Sequence, residues 1–124
     1  MIAGVGLDLV DIREFQTEVD EKRQAWLERV FTVGEREYCS RQPDPYRHFA
    51  GTLAAKEATL KAFGTGWTDK NDWQNIEVTR ELEKPSLVLS GPLMEMSLRM
   101  KISRLLLTIT HTRDYAAALV VLES

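Results

Sequence analysis

From Arg47 to Phe63 the sequence is rich in alanine and other strong helix formers, and it runs into Gly64 and Gly66. That pattern predicts one long central helix stopped by glycine. Glu57 and Lys61 are four apart on it and therefore neighbours. Counting about 100° per residue, Glu57 falls between Leu53 and the small residues Ala50 and Ala54, away from the polar back of the helix. The bland alternative is an exposed i,i+4 ion pair worth about 0.3–0.5 kcal/mol. The alanines and leucine around Glu57 argue against it.

A second acid stands in an apolar run. Ile2-Ala3-Gly4-Val5-Gly6-Leu7-Asp8-Leu9-Val10 reads as a buried strand with Asp8 in its middle. Burying an unpaired carboxylate costs several kcal/mol, so Asp8 needs a partner, a metal or a mouth open to water. Taken alone, an ion pair or a helix cap explains it as well as a ligand does. Two unrelated segments thus each offer one misplaced acid, and oxygen-only ligands point to a hard cation, Mg²⁺ foremost. Gly64-Thr65-Gly66 ends the helix, and its backbone N–H groups could also form a small anion-binding nest beside Lys61.

Composition excludes several classes. The chain has 124 residues, 44% hydrophobic and 28% charged, with a net charge of −3, which describes an ordinary soluble domain and argues against nucleic acid as the main partner. Its apolar runs are too short to span a bilayer, and its amino terminus lacks a signal-peptide pattern. The single Cys39 allows no intramolecular disulfide and suits a reducing, cytoplasmic setting.

Along the chain, the strand at 2–10 precedes an amphipathic helical stretch from Ile12 to Val30, then a short helix at 33–41 capped by Thr32. Gln42-Pro43-Asp44-Pro45 forces a loop before the central helix. Residues 67–75 read as loop, 76–79 and 86–89 as short strands, 91–100 as a helix, and 105–110 and 115–122 as two strands joined by a turn. The order βααα–ββ–α–ββ gives one α+β domain over residues 1–124, a small antiparallel sheet packed on a long central helix. Trp26, Trp67 and Trp73 read as packing residues, Lys56 as a lysine whose stem lies along Phe49 and Phe63, and His111 as a strand-end histidine satisfied by Asp114 or backbone.

Four segments occur in order: Gly4-x-Gly6-x-Asp8; Phe31-Thr32-x-x-Glu35-x-x-Tyr38; Ala54-Ala55-Lys56-Glu57-Ala58-x-x-Lys61-Ala62-Phe63-Gly64-Thr65-Gly66; and Thr108-Ile109-Thr110-His111-Thr112 with Tyr115-Ala116-Ala117-Ala118. Together they resemble the holo-acyl-carrier-protein synthases, the small 4′-phosphopantetheinyl transferases, over nearly the whole chain. The resemblance implies Mg²⁺-dependent transfer of 4′-phosphopantetheine from coenzyme A to a serine of an apo acyl carrier protein, with release of 3′,5′-ADP. It implies that Asp8 and Glu57 bind the metal, that Lys61 faces the phosphates, and that Gly64, Thr65, Gly66, His111, Thr112 and a neighbouring subunit's Arg47 border the coenzyme. The serine proton would pass to Glu57 directly or through a metal-bound water. A homotrimer with active sites at subunit interfaces is the assembly it implies, with no nucleic acid or membrane partner. Two departures stand out: Thr52 and Leu53 replace an Arg-Phe pair frequent in relatives, and Glu14 stands where many carry arginine. A non-catalytic carrier-protein-binding module and an unrelated Mg²⁺-dependent nucleotide-binding enzyme remain the alternatives.

Overall fold

A computed structural model describes residues 1–65, 73–81 and 84–124. In chain order the elements are β1 (Ile2–Asp11), α1 (Ile12–Val30), α2 (Val33–Ser40), α3 (Pro45–Phe63), β2 (Ile76–Thr79), β3 (Ser86–Leu89), α4 (Gly91–Arg99), β4 (Arg104–His111) and β5 (Tyr115–Glu123), with a 3-10 turn at Trp73–Asn75. The class is α+β and the order is the one expected. β5 lies between β1 and β4 in a three-stranded antiparallel sheet, and β2 pairs with β3 separately. Asp8 sits opposite Ala118, which sits opposite Ile109. None of the described helices is long and apolar enough to cross a membrane.

The central helix starts slightly earlier than its sequence suggests. Asp44 accepts the Arg47 N–H at 3.4 Å and Pro45 occupies the first turn, where its missing N–H costs nothing. At the other end Gly64 adopts φ 74°. The Thr65 N–H bonds the Leu60 carbonyl at 3.1 Å and the Gly64 N–H bonds Lys61 at 3.0 Å, a Schellman closure. Those two donors are therefore consumed by the helix, which removes them from the anion nest expected there. Gly66 lies outside the described residues, as does Trp67.

β1 departs most from its sequence reading. Val5, Leu7 and Leu9 are 55%, 63% and 64% exposed, so the strand is buried on one face only. The inner face is Gly4, Gly6 and Asp8. A Cβ on Gly4 would collide with the Ala62 carbonyl oxygen, and one on Gly6 with that of Ala58. α3 thus rests on the strand backbone, and Asp8 is the inner-face residue beside it that carries a functional side chain. The apolar residues occupy the outer sheet face together with Leu106, Tyr115 and Leu119, all exposed. Continuous hydrophobicity looks like a doubly buried strand because glycine hides the alternation.

α1 is not continuous. Arg23 has φ 63° and ψ −163°, a region that suits glycine, and residues 20–25 are all exposed. The first half is anchored by Ile12, Phe15 and Val19, and the second by Val30 with half-buried Trp26 and Leu27. Trp26 packs against Phe15 and Phe31, as its packing role requires.

α2 opens with a capping box. Thr32 Oγ1 accepts the Glu35 N–H at 3.2 Å and Glu35 Oε1 accepts the Thr32 N–H at 2.8 Å, satisfying two helix-end donors. The Lys56 head group is not held in water. Its ammonium is fully buried, 2.6 Å from Glu35 Oε1, donates to the Val30 carbonyl at 2.6 Å, and lies 5.5 Å from the Phe31 ring centroid. Glu35 Oε2 accepts the Val78 N–H at 2.7 Å. Burial pushes the Glu35 carboxyl up, against the opposing pull of Lys56 and its hydrogen bonds.

Candidate active site

β1 and α3 bring Asp8, Glu57 and Lys61 together. Asp8 is 7% exposed, and its Oδ1 lies 2.9 Å from Lys61 Nζ. The same ammonium donates to the Leu7 carbonyl at 3.1 Å. Lys61 therefore binds the strand rather than its helical neighbour Glu57, which disposes of the surface i,i+4 pair. Asp8 Oδ2 is buried and meets no donor. The Glu57 carboxyl is pushed from its ordinary 4.5 to about 7, first by burial, then by the neighbouring Asp8 charge and the hydrogen-bonding pull of Asp8, with Lys61 opposing and Glu18 adding a smaller push. Two carboxylates so close need a proton or a cation between them.

That donor set suits a hard divalent ion. Two carboxylates, one with an orphaned buried oxygen, are what Mg²⁺ commonly takes from a protein while water and substrate phosphate complete its octahedron. Among the described residues no group of three or more His, Cys, Asp or Glu side chains converges, so a caged structural metal is not what the geometry resembles. Lys61 supplies the compensating positive charge.

The remaining candidates cluster elsewhere. Arg47 is ten positions before Glu57 on α3, about 15 Å along the helix axis. His111 is separated from Asp8 by two strand spacings, on the order of 10 Å. His48, which carried no sequence signal, brings its ring centroid to 6.1 Å from His111 and 6.0 Å from Tyr38. His111 is exposed, and Asp114 uses its carbonyl to accept the Ile12 N–H. The Thr112 hydroxyl accepts the Tyr115 N–H at 3.1 Å, so Thr112 already holds its own turn. Glu18 was also missed: it lies a helix away in sequence and is ion-paired with Lys22 at 2.6 Å, yet its charge reaches Glu57.

Comparison with known proteins shows the family to which the chain belongs. Residues 4–120 match the family model for the 4′-phosphopantetheinyl transferase superfamily. The holo-[acyl-carrier-protein] synthase of Geotalea daltonii is 42% identical over 124 residues, covering 99% of both chains. That of Syntrophotalea carbinolica is 45% identical over 123 residues, 98% of this chain and 96% of the relative. The crystal structure of the Neisseria meningitidis synthase superposes with a TM-score of 0.91 at 30% identity, covering 100% of both chains. The Helicobacter pylori synthase in complex with coenzyme A superposes with a TM-score of 0.83 at 27% identity, over 96% of this chain and 99% of the other.

Proposed function

The chain belongs to the 4′-phosphopantetheinyl transferase superfamily, and from that premise we propose that it transfers 4′-phosphopantetheine from coenzyme A to a serine hydroxyl of an apo acyl carrier protein, in the cytoplasm, as one catalytic domain. The observation that carries the reading at the level of residues is the Asp8–Glu57 carboxyl pair with the Lys61 ammonium 2.9 Å from Asp8.

The chemistry asks a protein chiefly to place two reactants and to neutralise charge on a pyrophosphate. Asp8 and Glu57 would hold Mg²⁺. Bound there, the ion supplies Lewis-acid stabilisation of phosphate oxygens. Lys61, anchored on the Leu7 carbonyl and Asp8, keeps more than half of its side chain exposed, at 56%, and can meet the departing phosphate. With the ion bound, the Glu57 carboxylate, directly or through a water, is the candidate acceptor for the serine proton. His111 and Arg47, with His48, are offered to the nucleotide end. Gly64 and Thr65 would approach the coenzyme through their open backbone surface rather than through their N–H groups.

Assembly as a homotrimer belongs to the same proposal. Val5, Leu7, Leu9, Leu106 and Leu119 leave an apolar sheet face open to water, the kind of surface that marks a protein interface. Closing a small number of identical copies on that face would place the site of one copy beside residues of the next. The deciding experiment incubates the protein with coenzyme A, Mg²⁺ and an apo carrier and weighs the carrier. A phosphopantetheine adduct that disappears in Asp8→Asn supports transfer. Binding of the carrier without an adduct would instead leave a non-catalytic module.

A further inference from the structure

The geometry points to the buried Glu35–Lys56 ion pair as the positioning element of the site: it fixes the rotation of α3 and so sets the meeting of Glu57 with Asp8. The inference rests on the reading of Asp8 and Glu57 given above.

α3 is gripped from two sides. On one side Gly4 and Gly6 admit the carbonyls of Ala62 and Ala58 against the β1 backbone, which defines how close the helix comes, and Lys61 near the helix end bonds the Leu7 carbonyl and Asp8 of that strand. Lys56 lies on the opposite side, since two positions before Ala58 is about 200° around the helix. There its ammonium joins the Val30 carbonyl at the end of α1, and Glu35 of α2 at 2.6 Å, while Glu35 Oε2 reaches the Val78 N–H of β2 at 2.7 Å. The pair thus ties α3 to α1 and α2 directly and to β2 through Glu35. Side chains stand about 5–6 Å from a helix axis, so a roll of about 20° would carry the Glu57 carboxyl about 2 Å. That is enough to part it from Asp8.

Stability alone does not account for such a pair. A fully buried ion pair is commonly matched or bettered by apolar residues of similar volume, because both charges leave water. Directional bonds are what apolar packing cannot replace. Glu35 and Lys56 touch no reacting atom; they act through Glu57.

The test compares Glu35→Leu with Lys56→Met, as a double variant, and the single variant Glu35→Gln against the parent. Mg²⁺ binding is read by calorimetry on the protein without coenzyme A, alongside thermal unfolding and kinetics. The double variant is expected to unfold no earlier than the parent, to bind Mg²⁺ about 10-fold more weakly and to lose about 10- to 100-fold in kcat, with KM for coenzyme A within about twofold. Should the double variant fail to fold, Glu35→Gln, which keeps the volume and weakens the grip on Lys56, is expected to show the same separation of kcat and metal affinity from KM. A folded double variant with parental kcat and Mg²⁺ affinity overturns the inference. So does a loss of kcat that only tracks the unfolded fraction. A parent that binds Mg²⁺ but never modifies the carrier would overturn the proposed transfer while leaving the calorimetric comparison decisive for the pair.

Discussion

Replacing Glu57 by glutamine should alter how stability depends on pH in a way that reads the burial of Glu57 beside Asp8. The folded chain holds the Glu57 proton up to about pH 7, against an ordinary 4.5. A carboxyl whose proton is held more tightly in the folded state contributes stability that is complete below about pH 4.5 and is lost as pH rises through about 7. At 1.36 kcal/mol per pH unit, the displacement would be about 3 kcal/mol undamped, and solvent at a half-buried carboxyl reduces it to about 1–2 kcal/mol. Glutamine removes the titration while keeping the shape. Urea unfolding with a chelator present, from pH 5 to pH 8.5, should therefore show the parent losing about 1–2 kcal/mol relative to Glu57→Gln as pH rises. Added Mg²⁺ should restore the parent at high pH and leave the variant nearly unmoved, because a bound cation reverses the repulsion between the carboxylates. Parallel pH profiles for the two proteins would show that Glu57 does not meet Asp8 as described.

Other outcomes can be checked alongside it. Arg23→Gly should stabilise the protein by about 1 kcal/mol, because glycine relieves the φ of 63° at a smaller entropic cost, whereas Arg23→Ala should give no gain in the same thermal melts. Lys61→Met keeps the stem and deletes the charge, so kcat/KM for coenzyme A should fall by about 10-fold or more; unchanged kinetics would return Lys61 to a surface role. Sedimentation at micromolar concentration should give three chains for the parent, and Leu7→Asp, which charges an exposed face position, should shift it to monomer. Lys22→Glu with Arg23→Glu on α1 should raise the KM for an acidic carrier and spare that for coenzyme A, and added salt should do likewise for the parent; a carrier KM indifferent to both would put docking elsewhere.

Element identity was legible because propensity, caps and periodicity agreed along most of the chain. Thr32 caps the short helix as read, Gly64 stops the long one, and β2 and β3 fall where alternation put them, whereas Pro45, read as loop, opens the long helix. Asp8 and Glu57 were legible for a different reason: each violates the pattern of its own segment. What sequence could not show was which face of β1 is covered, because Gly4 and Gly6 bury backbone instead of side chains. Nor could it show that Lys56 is paired, since its partner Glu35 lies in another helix and lysine ordinarily seeks water. Arg23 carried no breaker signal, although the helix breaks there between the segments anchored by Val19 and by Trp26. His48 meets His111 and Tyr38, and Glu18 bears on Glu57, through tertiary contacts that no local spacing encodes.

The close backbone approach of Gly4 and Gly6 to Ala62 and Ala58 has a consequence for how substitutions far from any reacting atom would be felt. The gap between strand and helix is filled by hydrogen atoms alone, and the same gap spans the distance over which an aspartate from one element and a glutamate from the other must meet. A single methyl group added at Gly6 would act as a shim, widening the jaws by an amount that no rotamer of a two-carbon side chain can take back. Positions 4 and 6 are thus part of the site's dimensions although they contribute no functional group, and the tolerance of the chemistry to drift is set there by the length of a carbon–carbon bond.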